Sequence, residues 1–330
     1  MSNITIKKIA ELAGVSSATV SRILNNTGRY SEETKERVLE IIRDYNYRTN
    51  VVAKSLRTNK SKTIGVIVPD ITNEFFANIV LAIENYSVPN GYSIFICNTS
   101  EDHEKEKMFV RDLEAKGVDG IIYLSGNKQI PEQTTSKHLP TVCIDRNPGN
   151  KEIVVVESDN FSGGFIATEE LIQQGCKRIV IIKDERDVSP MAERYRGYRE
   201  ALQKHGIPLD ENLVVNVKVD VHEATKAVQH LISRGTAFDA IFACTDWLAI
   251  GAINALHQHQ ILIPDEVKII GFDNISVAQH SYPPLTTVEQ DKTKLGEIAA
   301  QILLDMIDQK KPQKQNIVLP VSLVKRNTTL

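Results

Sequence analysis

Residues 5–26 read TIKKIAELAGVSSATVSRILNN, and this stretch decides the fold of the N-terminal end. Apolar or small residues fall at Ile6, Ile9, Ala10 and Ala13, then Val15, then Ala18 or Thr19, Val20, Ile23 and Leu24. That spacing predicts two short helical stripes broken at Gly14-Val15-Ser16. Thr5 can cap the first helix, Gly14 can adopt the left-handed backbone that ends it, and Ser16 can cap the second. Ala10 is small where two crossing helices must approach, and Val15 plugs the corner between them. A third helix is expected from Ser31 to Tyr45, with Glu32 and Glu33 in its first turn, where the helix dipole favours acids. Val38, Leu39, Ile41 and Ile42 make its apolar face.

Any small three-helix bundle would bury such a core. The difference lies in what the second helix keeps outside: Ser17, Ala18, Ser21, Arg22 and Asn25, short at the N-terminal end and then cationic. Short side chains let a helix sink into a major groove, and Arg22 can fork onto the O6 and N7 of a guanine. The reading is a helix-turn-helix with Ser17, Ala18 and Arg22 at base edges. Thr19, Ser21, Asn25 and Arg29 fall nearer phosphate or the groove rim, and Thr5 and Ser16 complete the DNA-binding set.

Charge agrees. Residues 1–61 hold eleven Lys and Arg against six acids, a net of +5, so the remainder carries −8 of the overall −3. A basic head on an acidic body predicts a polyanionic partner for the head alone.

The chain of 330 residues is long enough for two or three domains, and its 42% hydrophobic and 25% charged composition fits a soluble globular protein. Its longest apolar runs fall far below the ~18–20 residues of a membrane span. The N-terminus lacks the apolar segment of a secretion signal, so a cytoplasmic location with no membrane partner is expected. Cys97, Cys143, Cys176 and Cys244 are scattered and lack metal-ligand spacing. They are read as reduced, mostly buried residues, and no metal or cofactor is expected.

After Lys62 short apolar strands alternate with amphipathic helices. Strands are expected at 63–68, 92–97, 120–124, 141–144, 154–156, 178–182, 213–219, 240–243 and 267–271. Helices are expected at 73–87, 104–116, 162–174, 192–205, 222–234, 246–259 and 293–307. Repeated β-α-β means parallel sheets with helices on both faces, and the length suggests two lobes. Ligands of such sheets bind beyond the C-terminal ends of strands, which places a site in the cleft. Asn73, Phe75 and Phe76 follow the first strand, where paired aromatics can stack on a sugar ring. Ser125 follows the third strand, and Asp145 and Arg146 follow the fourth. Asp273, in GFDN, and Gln290, in TTVEQD, complete the candidates. Carboxylates accept hydroxyl protons and guanidinium groups donate several, so such a set reads a polyol.

TIKKIAELAGVSSATVSRILNN resembles the headpiece of the lactose/galactose repressor family. The likeness runs without gaps through NYRTNVVAKSLRTNKSKTIGVIVPDITNEFF, residues 46–76. The resemblance implies a small all-α headpiece on a two-lobed, periplasmic-binding-protein-like α/β body. It implies headpiece residues 1–49 and a hinge helix with linker at 50–61. Residues 62–330 would bind effector and dimerise, with lobe one at 62–160 plus 291–320 and lobe two at 161–290 plus 321–330. The hinge would fold only on the operator, with Asn50 at its start, Leu56 wedged into the minor groove and Ala53 permitting close approach of the partner helix. By the resemblance the hinge helix is Asn50–Arg57, and its eight residues agree with folding on DNA, since isolated helices gain stability only around 12–15 residues.

The body is similar to sugar-binding proteins of the periplasm. Asp145-Arg146 resembles the pair with which ribose-binding proteins hold ring hydroxyls, and Arg194 matches the family's effector-binding arginine. Thr245 stands where many relatives carry asparagine, and Val221 where many carry a stacking aromatic. The family implies a homodimer on palindromic operator DNA, released or strengthened by a small molecule. A monosaccharide such as ribose is the first expectation; a nucleoside, or a corepressor that strengthens operator binding, is the alternative. A transporter's solute-binding protein would explain residues 62–330 but not the basic head. An enzyme is not expected, because no G-x-G-x-x-G, phosphate loop, G-x-S-x-G or H-E-x-x-H motif is present. Ser162-Gly163-Gly164 is better read as a close-packed helix start than as a phosphate loop.

Overall fold

The computed structural model describes residues 4–47, 60–124, 139–148, 153–186 and 188–330. The hinge positions Asn50, Ala53 and Leu56, and Ser125 of the body, lie outside the described residues. The chain divides into two compact units, Met1–Ser61 and Lys62–Leu330.

The first unit contains helices Ile6–Ala13, Ser17–Leu24 and Glu32–Asp44. Thr5, Ser16 and Ser31 cap them, accepting the amides of Lys8, Thr19 and Thr34. Gly14 closes the first helix at φ +66°, and the Val15 amide donates back to Ala10 O at 3.0 Å. Ile9, Ala10, Ala13, Val20, Ile23 and Val38 form the buried centre, with Val15, Ile41 and Ile42 packed against it. Leu39 departs from expectation and is 36% exposed. Val38 occupies the centre, and its sequence neighbour points about 100° away around the helix.

The second unit holds two six-stranded sheets. Lobe one has the order β11-β5-β4-β3-β1-β2 and lobe two the order β12-β10-β9-β8-β6-β7. The strands are β1 Thr63–Val68, β2 Ser93–Asn98, β3 Gly120–Tyr123, β4 Thr141–Ile144, β5 Val154–Ser158, β6 Ile179–Asp184, β7 Val214–Val217, β8 Ala240–Ala243, β9 Lys268–Asp273, β10 Thr286–Glu289, β11 Asn316–Leu319 and β12 Ser322–Val324. All pairings are parallel except β10 with β12. The chain passes between lobes after β5, after β10, and between β11 and β12, so the crossovers gather at the β11/β5 and β12/β10 edges.

Helices Glu74–Ser87 and Lys292–Ile307 pack together beside lobe one's sheet, where Ile79, Ile83, Leu295 and Leu303 are fully buried. Helices Asn160–Gln173 and Ser189–Lys204 form the tightest helix pair, on lobe two. A Cβ on Gly164 would stand 2.1 Å from Arg194 O, and one on Gly197 would stand 2.2 Å from Phe161 O. The Ser162-Gly163-Gly164 run therefore serves backbone contact between helices.

The expected strands and helices are present with shifted ends, and the shifts matter. β6 runs on to Asp184 and β9 to Asp273, because ladder bonds continue past the last apolar residue. The strand expected over 213–219 shortens to Val214–Val217 behind a 3₁₀ turn at Glu211–Leu213. The helix expected from Ala192 begins at Ser189, with Pro190 in its first turn, where a missing N–H costs nothing. β10, β11, β12 and the short helix Ser276–His280 were not anticipated. Cys143, Cys176 and Cys244 are buried and Cys97 half-buried, all as free thiols. Burial pushes Cys143 and Cys244 up to about 12. No helix among the described residues is long and apolar enough to cross a membrane, and no described cluster could hold a metal ion.

Candidate functional site

The C-terminal ends of β1, β2, β4, β6, β8 and β9 converge on one cavity between the lobes. Of the expected effector residues, Asn73, Phe75, Phe76, Asp145, Arg146, Arg194, Thr245 and Asp273 line it together. Gln290 does not; it is fully buried and donates to Asp273 Oδ1 at 2.7 Å from behind.

Several wall residues already have structural partners. Asn73 caps helix Glu74–Ser87 by accepting the Phe75 amide at 3.1 Å. The rings of Phe75 and Phe76 meet edge to face at 5.2 Å, presenting an apolar corner to the cavity. Thr245, on the cavity wall, caps helix Asp246–Gln258 by accepting the Leu248 amide at 3.2 Å.

Arg194 is the hub. Its guanidinium lies 3.6 Å above the Phe272 ring, Nε donates to Asn160 Oδ1 at 2.8 Å, and Nη1 donates to Cys244 O at 2.5 Å. Asp145 of lobe one stands 3.9 Å from Nη2, and Asp273 of lobe two stands 3.7 Å from Nη1. Asp145 also accepts the Ser158 amide and the Asn160 side-chain amide. Both carboxylates sit on left-handed backbone, at φ +50° and +110°, which non-glycine residues adopt at a cost. Burial pushes Asp273 up to about 7, against the opposing pull of Arg194 and Lys292. Asp246, fully buried behind it, is also raised well above the usual carboxylate range, by burial and by Asp273.

Arg146 differs from the other guanidinium groups. It lines the cavity with no hydrogen bond or ion pair to any described residue. Burial, and then the neighbouring Arg186, lower its pKa. A desolvated cation without acceptors is costly, and a ligand that supplies oxygens relieves that cost.

Sequence reading missed Asp70, Glu101, Asp184, Arg186, Met191 and Val219 on the same wall. Asp184 ends β6 and the others except Met191 follow a strand of the sheets, so the rule that found Asp145 points to this wall. Val219 lines the cavity, and Val221, where the resemblance expects an aromatic, opens helix Val221–Ser233 near Trp247 in an adjoining pocket that shares Asp70, Asn73 and Val219 with it.

On the first unit, Ser17, Ala18, Arg22, Asn25 and Arg29 are exposed, while Thr19 and Ser21 are partly covered. Thr5 and Ser16 are exposed caps. Asn25 turns its amide onto Ser21 O at 2.7 Å. A Cβ on Gly28, at φ +80°, would lie 3.3 Å from Arg22 Cδ, so the arginine's aliphatic stem runs past that turn.

A helix-turn-helix with an exposed, cationic second helix, joined to a two-lobed α/β body with a polar cleft, defines a ligand-controlled transcription regulator. Residues 5–50 match the family described as bacterial regulatory proteins, lacI family, and residues 168–329 match the periplasmic binding protein-like domain. The chain is 37% identical to the ribose operon repressor of Halalkalibacterium halodurans, over 98% of this chain and 97% of that one. It is 35% identical to the repressor PurR of Pasteurella multocida, over 98% of each. A solved lac repressor dimer, bound to operator and the anti-inducer ONPF, superposes with a TM-score of 0.88 at 26% identity, covering 100% of each chain. The chain belongs to the LacI family of bacterial regulatory proteins and is a transcriptional repressor with an effector-binding domain.

Proposed function

We propose that this repressor works as a homodimer on a palindromic operator and that its effector is a neutral monosaccharide, with ribose the first candidate. The Arg146 guanidinium carries the reading: with no hydrogen-bond acceptor among the described residues, it favours a ligand rich in oxygen acceptors. The charge balance then selects a neutral one. Five carboxylates (Asp70, Glu101, Asp145, Asp184, Asp273) face three arginines in the cavity, which disfavours a phosphorylated or carboxylated sugar. The Phe75–Phe76 corner supplies an apolar face for the ring, and Asp145 and Asp273 supply acceptors for its hydroxyls. The relatives' names alone do not choose, since a ribose operon repressor and PurR stand at similar identity.

The headpiece would place Ser17, Ala18 and Arg22 at base edges. By resemblance, Asn50, Ala53 and Leu56 would form the hinge that folds on DNA. Effector in the cleft and operator on the head would be linked by a coupling free energy, so each alters the affinity for the other. The test is operator titration of the full chain by fluorescence anisotropy, with and without D-ribose, other monosaccharides, nucleosides and purine bases. A change in operator affinity with a monosaccharide alone supports the reading. A response confined to nucleosides or purine bases replaces it with the second one.

A further inference from the structure

Arg186 bridges the two lobes at the side of the cleft opposite the crossovers. It follows β6 of lobe two and chelates Asp184, a 1% exposed carboxylate at the end of that strand. Its Nη1 also reaches Glu101 of lobe one at 2.7 Å. Glu101 follows β2, the edge strand of its sheet farthest from β11 and β5, and β6 and β7 lie farthest from β12 and β10 in theirs. The ion pair therefore spans the cleft at its outer rim, where lobe separation is greatest when a hinge at the crossovers opens. Both side chains are about 30% exposed, and both line the cavity.

We infer that the Glu101–Arg186–Asp184 bridge is a rim latch and the size filter of the cleft, ending the cavity at one sugar ring. The size limit rests on the monosaccharide reading above; the latch does not. A ligand that carries a substituent outward from the ring, as a nucleoside or disaccharide does, meets the Arg186 guanidinium and must break the bridge. Asp184 holds Arg186 within its own lobe, so the guanidinium stays poised when the lobes part, and Glu101 is the half of the bridge that opening breaks.

Two measurements on the full chain test this. In the ligand-free protein, nitroxide labels at Lys105→Cys and Lys218→Cys report the lobe-to-lobe distance by double electron–electron resonance. Arg186→Ala is expected to lengthen and broaden that distance, and Glu101→Gln to do so less; an unchanged distribution in both variants overturns the latch. In thermal shift, wild type is expected to respond to D-ribose and not to adenosine or a disaccharide. Arg186→Ala should gain a shift of roughly 2–5 °C with at least one larger ligand, read against its own ligand-free midpoint. A larger-ligand profile identical to wild type in a normally folded Arg186→Ala overturns the size filter. Absence of any monosaccharide response in wild type counts against the proposed effector class, and the distance measurement still decides the latch.

Discussion

The Gln290 side-chain amide donates to Asp273 Oδ1 at 2.7 Å, while Gln290 Oε1 has no hydrogen-bond partner among the described residues. Asp273 thus faces the cavity with a buried amide fixing one of its oxygens from behind. Burial, with Asp145 nearby, holds its pKa at about 7, so its charge changes across the physiological range.

A ligand hydroxyl that donates to Asp273 selects the ionised carboxylate. Effector affinity should therefore rise between pH 6 and 8, by at most about tenfold per pH unit, and level off above. Ligand-free stability should move the other way. The folded pKa lies above the unfolded value of about 3.9, so the stability from this group is complete below pH ~4 and is lost as pH rises through 7. Calorimetric titration and thermal midpoints of wild type and Asp273→Asn check both slopes. If Asp273→Asn kept the wild-type pH dependence of binding, Asp273 would leave the contact set.

Much of this architecture could be read from the chain because its signals are local. The caps at Thr5, Ser16 and Ser31 and the turn at Gly14 are settled within four residues. The apolar runs of β1, β4 and β8 are buried on both faces. What escaped depends on distant partners. β11 and β12 are half-exposed edge strands, and Asn316 pairs with Val155 and Leu323 with Val288 only after the whole body has formed. The pairing of Arg186 with Glu101 has no local signal, because nothing in either neighbourhood shows that the other lobe supplies a counter-ion.

Gly197 lies one turn from Arg194 on the helix that crosses Asn160–Gln173. In Gly197→Ala the new methyl would stand 2.2 Å from Phe161 O and 2.6 Å from Phe165 N, backbone atoms that cannot move aside singly. The helices should separate, costing about 1–3 kcal/mol of stability, as overpacking does. Arg194 should shift from Asn160 and Asp145 with them. Denaturant unfolding and effector titration are expected to show both losses together. Full stability in Gly197→Ala would mean that the crossing tolerates a wider spacing.

Arg22 is exposed on the second helix, and Gly28 confines its stem. Arg22→Ala should weaken operator binding by about 1–3 kcal/mol and relax preference at one base pair. Arg29→Ala, read at the phosphate or groove rim, should weaken all sequences alike and reduce the salt slope by about one counter-ion. Gly28→Ala should fall between, because it strains a +80° backbone and presses on Arg22 Cδ. Anisotropy with single-base operator variants separates the three. An unchanged base preference in Arg22→Ala would remove it from the readers.

Phe95 and Ile96 are adjacent on β2, so they point to opposite faces of an edge strand, yet they are 47% and 48% exposed. Leu81 and Val88, at and just past helix Glu74–Ser87 beside β2, are more than half exposed. An apolar edge of this kind is an aggregation hazard unless a partner covers it, and a second copy of the chain fits the homodimer expected of a palindrome reader. Phe95→Asp combined with Ile96→Asp should sediment as a monomer without loss of circular-dichroism signal, since neither side chain is buried in its own subunit. Palindromic operator affinity should then fall by about 10²-fold or more, as two tethered heads become one. Half-site affinity should hold. A double variant that remained dimeric would place the self-association surface elsewhere on the body.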